Sequence, residues 1–178
     1  MPIIGVIEAG AKTAAYTTNN KIVGVIGTDG TIRSKAYNIE IAKIDPEIKI
    51  VDKACPLFVP IVEEGWANTD IASLTAKRYL EELMDKGIDS LVLGCTHYPI
   101  LKKTIGDIVG EKIKLVNPAK ETAKDLSIIL EKENILRLSG DASYEYYVSD
   151  IPDRFMNIGQ QFIKRNMDDV KKIDIQKY

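Results

Sequence analysis

Short apolar, β-branched runs alternate along this chain with longer segments of helical period. Ile3-Ile4-Gly5-Val6-Ile7 reads as a buried parallel strand. It is an abrupt start, because something ordinarily precedes a buried central strand. A helix over about 9–17 is expected next, ended by Asn19-Asn20. Residues 21–26 read as a second buried strand running into the turn Gly27-Thr28-Asp29-Gly30-Thr31, followed by a helix near 32–43. Residues 48–52 form a third strand, and Cys55-Pro56-Leu57-Phe58-Val59-Pro60 reads as a loop carrying two prolines. Thr69 or Asp70 caps a helix to about Lys86, with Ile71, Leu74, Tyr79 and Leu83 on its period. Lys86-Gly87 closes it with a basic last turn and a glycine. A fourth strand at 88–93 leads into Gly94-Cys95-Thr96-His97-Tyr98-Pro99, then a helix over about 99–109 and a strand at 113–116.

After Asn117-Pro118 the texture changes. An amphipathic helix is expected over 120–133, with Ala123, Leu126, Ile129 and Leu130 on one face. A short strand at 135–138, a turn at 139–141 and helices over 144–148 and 153–163 follow. The charged segment 164–178 reads as a frayed or solvated end. Strands alternating with helices predict the α/β class, a parallel sheet flanked by helices. Ligands of such sheets bind at the carboxyl ends of the strands, where both the Thr-rich turn and the Cys-Thr-His loop fall.

Composition narrows the function. The 178 residues are 45% hydrophobic and 28% charged, with 24 basic and 26 acidic side chains and a net charge of −2. No bulk positive field exists to attract nucleic acid or an anionic membrane. Apolar runs stay far short of a membrane span, and the first residues lack the pattern of a signal peptide. Two cysteines, Cys55 and Cys95, are too few for a disulfide scaffold, and a single histidine argues against a Cys/His zinc site. A cytoplasmic enzyme or binding protein, without metal, is the expectation.

Cys95 leads the candidates for chemistry. It follows a buried strand and precedes a helix start, where backbone N–H groups stabilise a thiolate. His97, two residues on, can relay a proton, and Thr96 adds a hydroxyl. The competing reading is a packed cysteine beside an exposed histidine. Thr28 and Thr31 can hold a carboxylate or amino group, although Thr, Asp and Gly also form turns without any ligand. Glu63 and Glu64 offer a carboxylate that could fix the tautomer of His97, but spacing alone brings neither to it. Cys55, followed by proline, reads as a packed loop cysteine.

Four segments together resemble the glutamate racemases of the aspartate/glutamate racemase family: Ile4-Gly5-Val6-Ile7-Glu8-Ala9-Gly10-Ala11; Gly24 to Thr31 with Ser34 and Tyr37; Cys55 to Gly65; and Leu93-Gly94-Cys95-Thr96-His97-Tyr98-Pro99. The last is the most specific. The resemblance implies a cofactor-independent interconversion of L- and D-glutamate for peptidoglycan synthesis, with two cysteines on opposite faces of the α-carbon. It makes Cys95 the second catalytic cysteine, Thr96 and His97 substrate-binding positions with His97 assisting the thiol, Thr28 and Thr31 substrate contacts, and Glu63 the acid beside the histidine. Cys55 matches a family cysteine without a catalytic role. The family's opening Asp-Ser-Gly strand, Pro-Tyr-Gly segment and Cys-Asn-Thr loop do not occur here. The resemblance therefore implies the C-terminal part of a longer chain: residues 1–116 as the second α/β domain, and 117–178 as a segment that packs on the first. It also implies that this chain alone does not racemise, and leaves a homodimer open. Two rival expectations are an aspartate racemase-like enzyme and a non-catalytic binding or assembly fragment.

Overall fold

A computed structural model describes residues 3–177. The chain divides into two compact units, one ending at Leu136 and the other starting at Arg137.

The first unit is built on a parallel four-stranded sheet, β1 (Ile22–Gly27), β2 (Lys49–Ala54), β3 (Ser90–Gly94) and β4 (Lys114–Val116), in the order β2-β1-β3-β4. The central strands are all but continuously apolar, Ile-Val-Gly-Val-Ile-Gly and Ser-Leu-Val-Leu-Gly, as expected of strands covered on both faces. Helices α1 (Val6–Thr17) and α3 (Ala36–Ile44) cover one face. There Ala11, Ala14, Tyr37 and Ile41 pack on Val23, Val25, Val92 and Val116. Helices α5 (Asp70–Asp85) and α6 (Lys102–Val109) belong to the opposite layer and pack on each other, with Leu80, Leu83 and Ile105 fully buried. Between β1 and β3 the winding reverses: the chain leaves β1 toward β2 and returns to the other side of β1 as β3. Crevices for ligands open at the carboxyl ends of strands at such a reversal.

The opening segment departs from the expectation. Residues 3–5 are irregular and Val6 already starts α1, so Ile3–Ile7 is not a strand. Ala9, Gly10, Ala11 and Ala14 form a stripe of small buried side chains, and alanine-rich helical propensity outweighs one β-branched run that finds no partner strand. The helix expected near 32–43 is two helices, α2 (Asp29–Ser34) and α3, separated by Lys35 in the left-handed region at φ 54°. The Cys55–Pro60 loop is shorter than expected, because α4 (Phe58–Glu63) accommodates Pro60 within its first turn, where a missing N–H costs nothing. In α5 the buried stripe is Ala72, Ala76, Leu80 and Leu83, whereas Ile71 and Leu74 are exposed. A 3-10 turn, Tyr98–Leu101, precedes α6.

Helix α7 (Pro118–Lys132) packs on α1 within the first unit, so the compact packing does not divide at residue 116. Its apolar face is only partly covered, and Leu126 and Ile128 are exposed. Gly10 permits the approach of α7: a Cβ there would lie 2.8 Å from the Pro118 ring. At the other end of the sheet, the Asp89 carboxylate accepts hydrogen bonds from the Thr18 hydroxyl and the Asn19 and Asn20 amides, tying the end of α1 to the start of β3.

The second unit is a small βαβ arrangement. Strand β5 (Tyr146–Val148) pairs in parallel with β6 (Val170–Lys172), joined through helix α8 (Pro152–Ile163). Residues 135–138 are irregular, and 144–148 supply a strand instead of a helix, in keeping with their aromatic and β-branched side chains. The charged end is not featureless, since it carries β6.

Candidate active site

The ladder between the two central strands pairs Gly27 with Gly94, the last residue of each. Thr28 and Cys95 are therefore the first residues beyond neighbouring strand ends, at the reversal of the winding. Gly94 is required by the close approach: a Cβ there would sit 2.7 Å from the Ile26 carbonyl oxygen and 3.1 Å from the Tyr37 ring. Thr28 caps α2, its hydroxyl oxygen accepting from the Thr31 amide at 3.4 Å, and the two hydroxyls lie 3.1 Å apart. Thr28, Thr31, Cys95 and Thr96 line one cavity of about 310 Å³.

His97 lies beside this cavity. Its Nδ1 is 4.0 Å from Cys95 Sγ and 3.3 Å from Thr96 Oγ1, while its Nε2 is 3.4 Å from Glu63 Oε1. With the ring proton on Nε2 and directed at Glu63, Nδ1 is left as the acceptor facing the thiol. Glu63 is the last residue of α4, and Glu64 points outward and is exposed.

The two cysteines occupy opposite environments. Cys95 is half-buried and opens on the cavity. Cys55 is 0% exposed and is not among the cavity's lining residues, and burial pushes its thiol up to about 12. Among the described residues no group of three or more His, Cys, Asp or Glu side chains is arranged to hold a metal ion. No described helix is long and apolar enough to cross a membrane.

The cavity also has walls that sequence reasoning did not assign to it: Val6 and Ile7 of α1, Tyr37, and Asn117-Pro118-Ala119 at the start of α7. Tyr37 is 3% exposed, and burial first, then the neighbouring Cys95, pushes its hydroxyl up to about 12, so it stays protonated. In the sequence it stood only within a family-like segment, with no role at the site. Asn117-Pro118 carried a usable signal, an N-cap and first-turn proline directly after a strand's carboxyl end.

The class of protein is given by the sequence around this sheet and its Thr-rich and Cys-Thr-His loops: over residues 1–126 the chain matches the model of Asp/Glu/Hydantoin racemases, and it belongs to that family. Among individual proteins, it is 48% identical to a glutamate racemase of Geobacter metallireducens over 99% of its own length and 66% of the relative's. It is 42% identical to that of Neisseria meningitidis serogroup A, covering 98% and 65%. The crystal structure of the Francisella tularensis glutamate racemase in complex with D-glutamate superposes with a TM-score of 0.90 at 37% identity, over 99% of this chain and 65% of that one. The Thermus thermophilus glutamate racemase, solved with β-chloro-D-alanine, gives 0.86 at 33% identity, over 99% and 64%. The chain thus spans just under two thirds of the length of these relatives.

Proposed function

We propose that this chain carries one half of the proton-transfer site of a glutamate racemase, acting without a cofactor on a small amino acid in the cytoplasm in support of peptidoglycan synthesis. The observation that carries the reading is the single cavity in which the Cys95 thiol meets the hydroxyls of Thr28, Thr31 and Thr96. Glutamate is favoured over aspartate by the names of the relatives. In this reading the hydroxyls hold a substrate carboxylate. Cys95 gives its proton to His97 Nδ1, and the imidazolium so formed is stabilised by Glu63 across 3.4 Å. The Cys95 thiolate then removes the α-proton from one face, or, as the thiol, returns a proton in the opposite direction.

Inversion needs a second group on the far face of the α-carbon. Cys55 does not qualify, being sealed from solvent with a thiol that stays protonated. In this reading the remaining partner is supplied by sequence outside these 178 residues, and the exposed face of α7, with the residues beyond it, packs on that part. The 178-residue chain by itself is expected to leave L-glutamate optically unchanged. Circular dichroism of L-glutamate incubated with the chain checks this. Sustained loss of signal, absent in Cys95→Ser, would mean that one thiol suffices or that another group here is the second base. An addition that supplies the missing part should restore racemisation to the chain but not to the Cys95→Ser variant. Failure to restore it would favour a non-catalytic role.

A further inference from the structure

The Glu63–His97 pair bridges two segments with no helix or strand in common, and its 3.4 Å separation depends on where α4 sits. Two buried hydroxyls tie down the chain on either side of α4. Before it, the Tyr98 hydroxyl donates to the Cys55 carbonyl oxygen at 2.9 Å. After it, the Thr104 hydroxyl donates to the Ala67 carbonyl oxygen at 2.7 Å. Both donors come from the stretch of chain that directly follows His97, and both side chains are buried. The Cys55 carbonyl also accepts the Phe58 amide at 3.1 Å, so Tyr98 grips the atom that opens α4. The Phe58 and Tyr98 rings meet edge to face, 5.2 Å apart at 87°.

We infer that Tyr98 and Thr104 are positioning residues for the candidate site, a two-point bracket by which the chain after His97 sets the distance and angle of Glu63 to the imidazole. The inference rests on the functional reading of the Glu63–His97 pair and goes beyond it, since neither hydroxyl touches the cavity. The bracket explains how a carboxylate 34 positions earlier in the chain is held against the ring. A short helix of six residues has little rigidity of its own. Its buried Phe58, Ile61 and Val62 seat it on the core, and the two hydroxyls fix the chain on either side of it, which sets the orientation of its last residue.

The chain's single histidine makes the test direct. Nitrogen-15 NMR of the imidazole at a pH where the ring is neutral reports the ratio of its two tautomers. In the unsubstituted chain the Nε2–H form should dominate, because Glu63 accepts from Nε2. Glu63→Gln, which weakens that acceptor, sets the size of the response. Tyr98→Phe and Thr104→Val keep shape and remove only the hydroxyl donors. Each is expected to shift the ratio at least ~threefold toward Nδ1–H, as loosening a charge-assisted hydrogen bond does. A merely structural role would lower stability and leave the ratio of the folded protein unchanged, and that result would overturn the inference. Should Tyr98→Phe fail to fold, Thr104→Val at the other end carries the same test. If Glu63→Gln itself leaves the ring unaltered, the pairing is refuted and the inference falls with it. If Glu63→Gln responds and neither hydroxyl variant does, the bracket alone is wrong.

Discussion

Cys95 and Cys55 are one side chain in two surroundings, and their reactivities should separate accordingly. A thiol raised to about 12 is roughly one part in ten thousand thiolate at pH 8, before access is considered. Cys95 opens on the cavity, so iodoacetamide at pH 8 should label it in the folded chain on a timescale on which Cys55 stays unlabelled. Peptide mass spectrometry checks this, and equal labelling of both would contradict the burial of Cys55. Cys95→Ser should abolish rapid labelling, and denaturant should equalise the two sites in the unsubstituted chain. Cys95, Thr96 and His97 were legible because they are adjacent in sequence at a strand's carboxyl end. Glu63 could be singled out only through a family resemblance, because nothing in its local pattern says which way the end of α4 points. Tyr37 received no role from the sequence, because packing decides whether a helical residue faces core or cavity: it is buried, and the core there ends at the wall of a cavity.

Elements in this fold are positioned as much by side chains left out as by those present. Gly94→Ala would drive a methyl group to 2.7 Å from the Ile26 carbonyl oxygen, a backbone atom that cannot rotate away. The expected cost is about 1–3 kcal/mol by urea denaturation, with Cys95 displaced because it is the next residue. Gly106→Ala in α6 is the contrasting case. Its Cβ would meet only the Leu115 side chain, at an ordinary 3.7 Å. There the gain in helical propensity should stabilise the chain by up to about 1 kcal/mol. Two glycines in the same unit are thus expected to respond with opposite signs, and equal responses would refute the packing argument. The element order was largely readable from period and length. Three of the misreadings, at 3–7, 135–138 and 144–148, fell on short apolar runs, where periodicity does not decide the structure.

The two compact units should differ sharply in resistance to proteolysis. The first has two helical layers around a parallel sheet, with a long series of wholly buried side chains. The second has about forty residues, near the size at which a domain needs a disulfide, a metal or a partner to persist. Among its described residues only Val148 and Met167 are buried hydrophobics. Brief thermolysin digestion should therefore accumulate a fragment ending near residue 136 and retaining Cys95, identified by its mass. Cleavage first inside the sheet of the earlier unit would overturn this view of where stability lies.

The sequence by itself determined the α/β class, the parallel strands, the absence of a strong charge bias and the Cys-Thr-His loop. These follow from local rules: β-branched runs make buried strands, glycine and threonine punctuate them, and adjacent residues stay adjacent when folded. Tertiary structure alone decided that the opening run becomes a helix, that α7 joins the first unit, that Tyr37 and Asn117 reach the cavity, and that Glu63 meets His97. The physical reason is common to all four. Each outcome depends on which distant partner is available to bury an apolar face or accept a hydrogen bond, and that choice is made by packing across the whole unit, beyond the reach of any window of sequence.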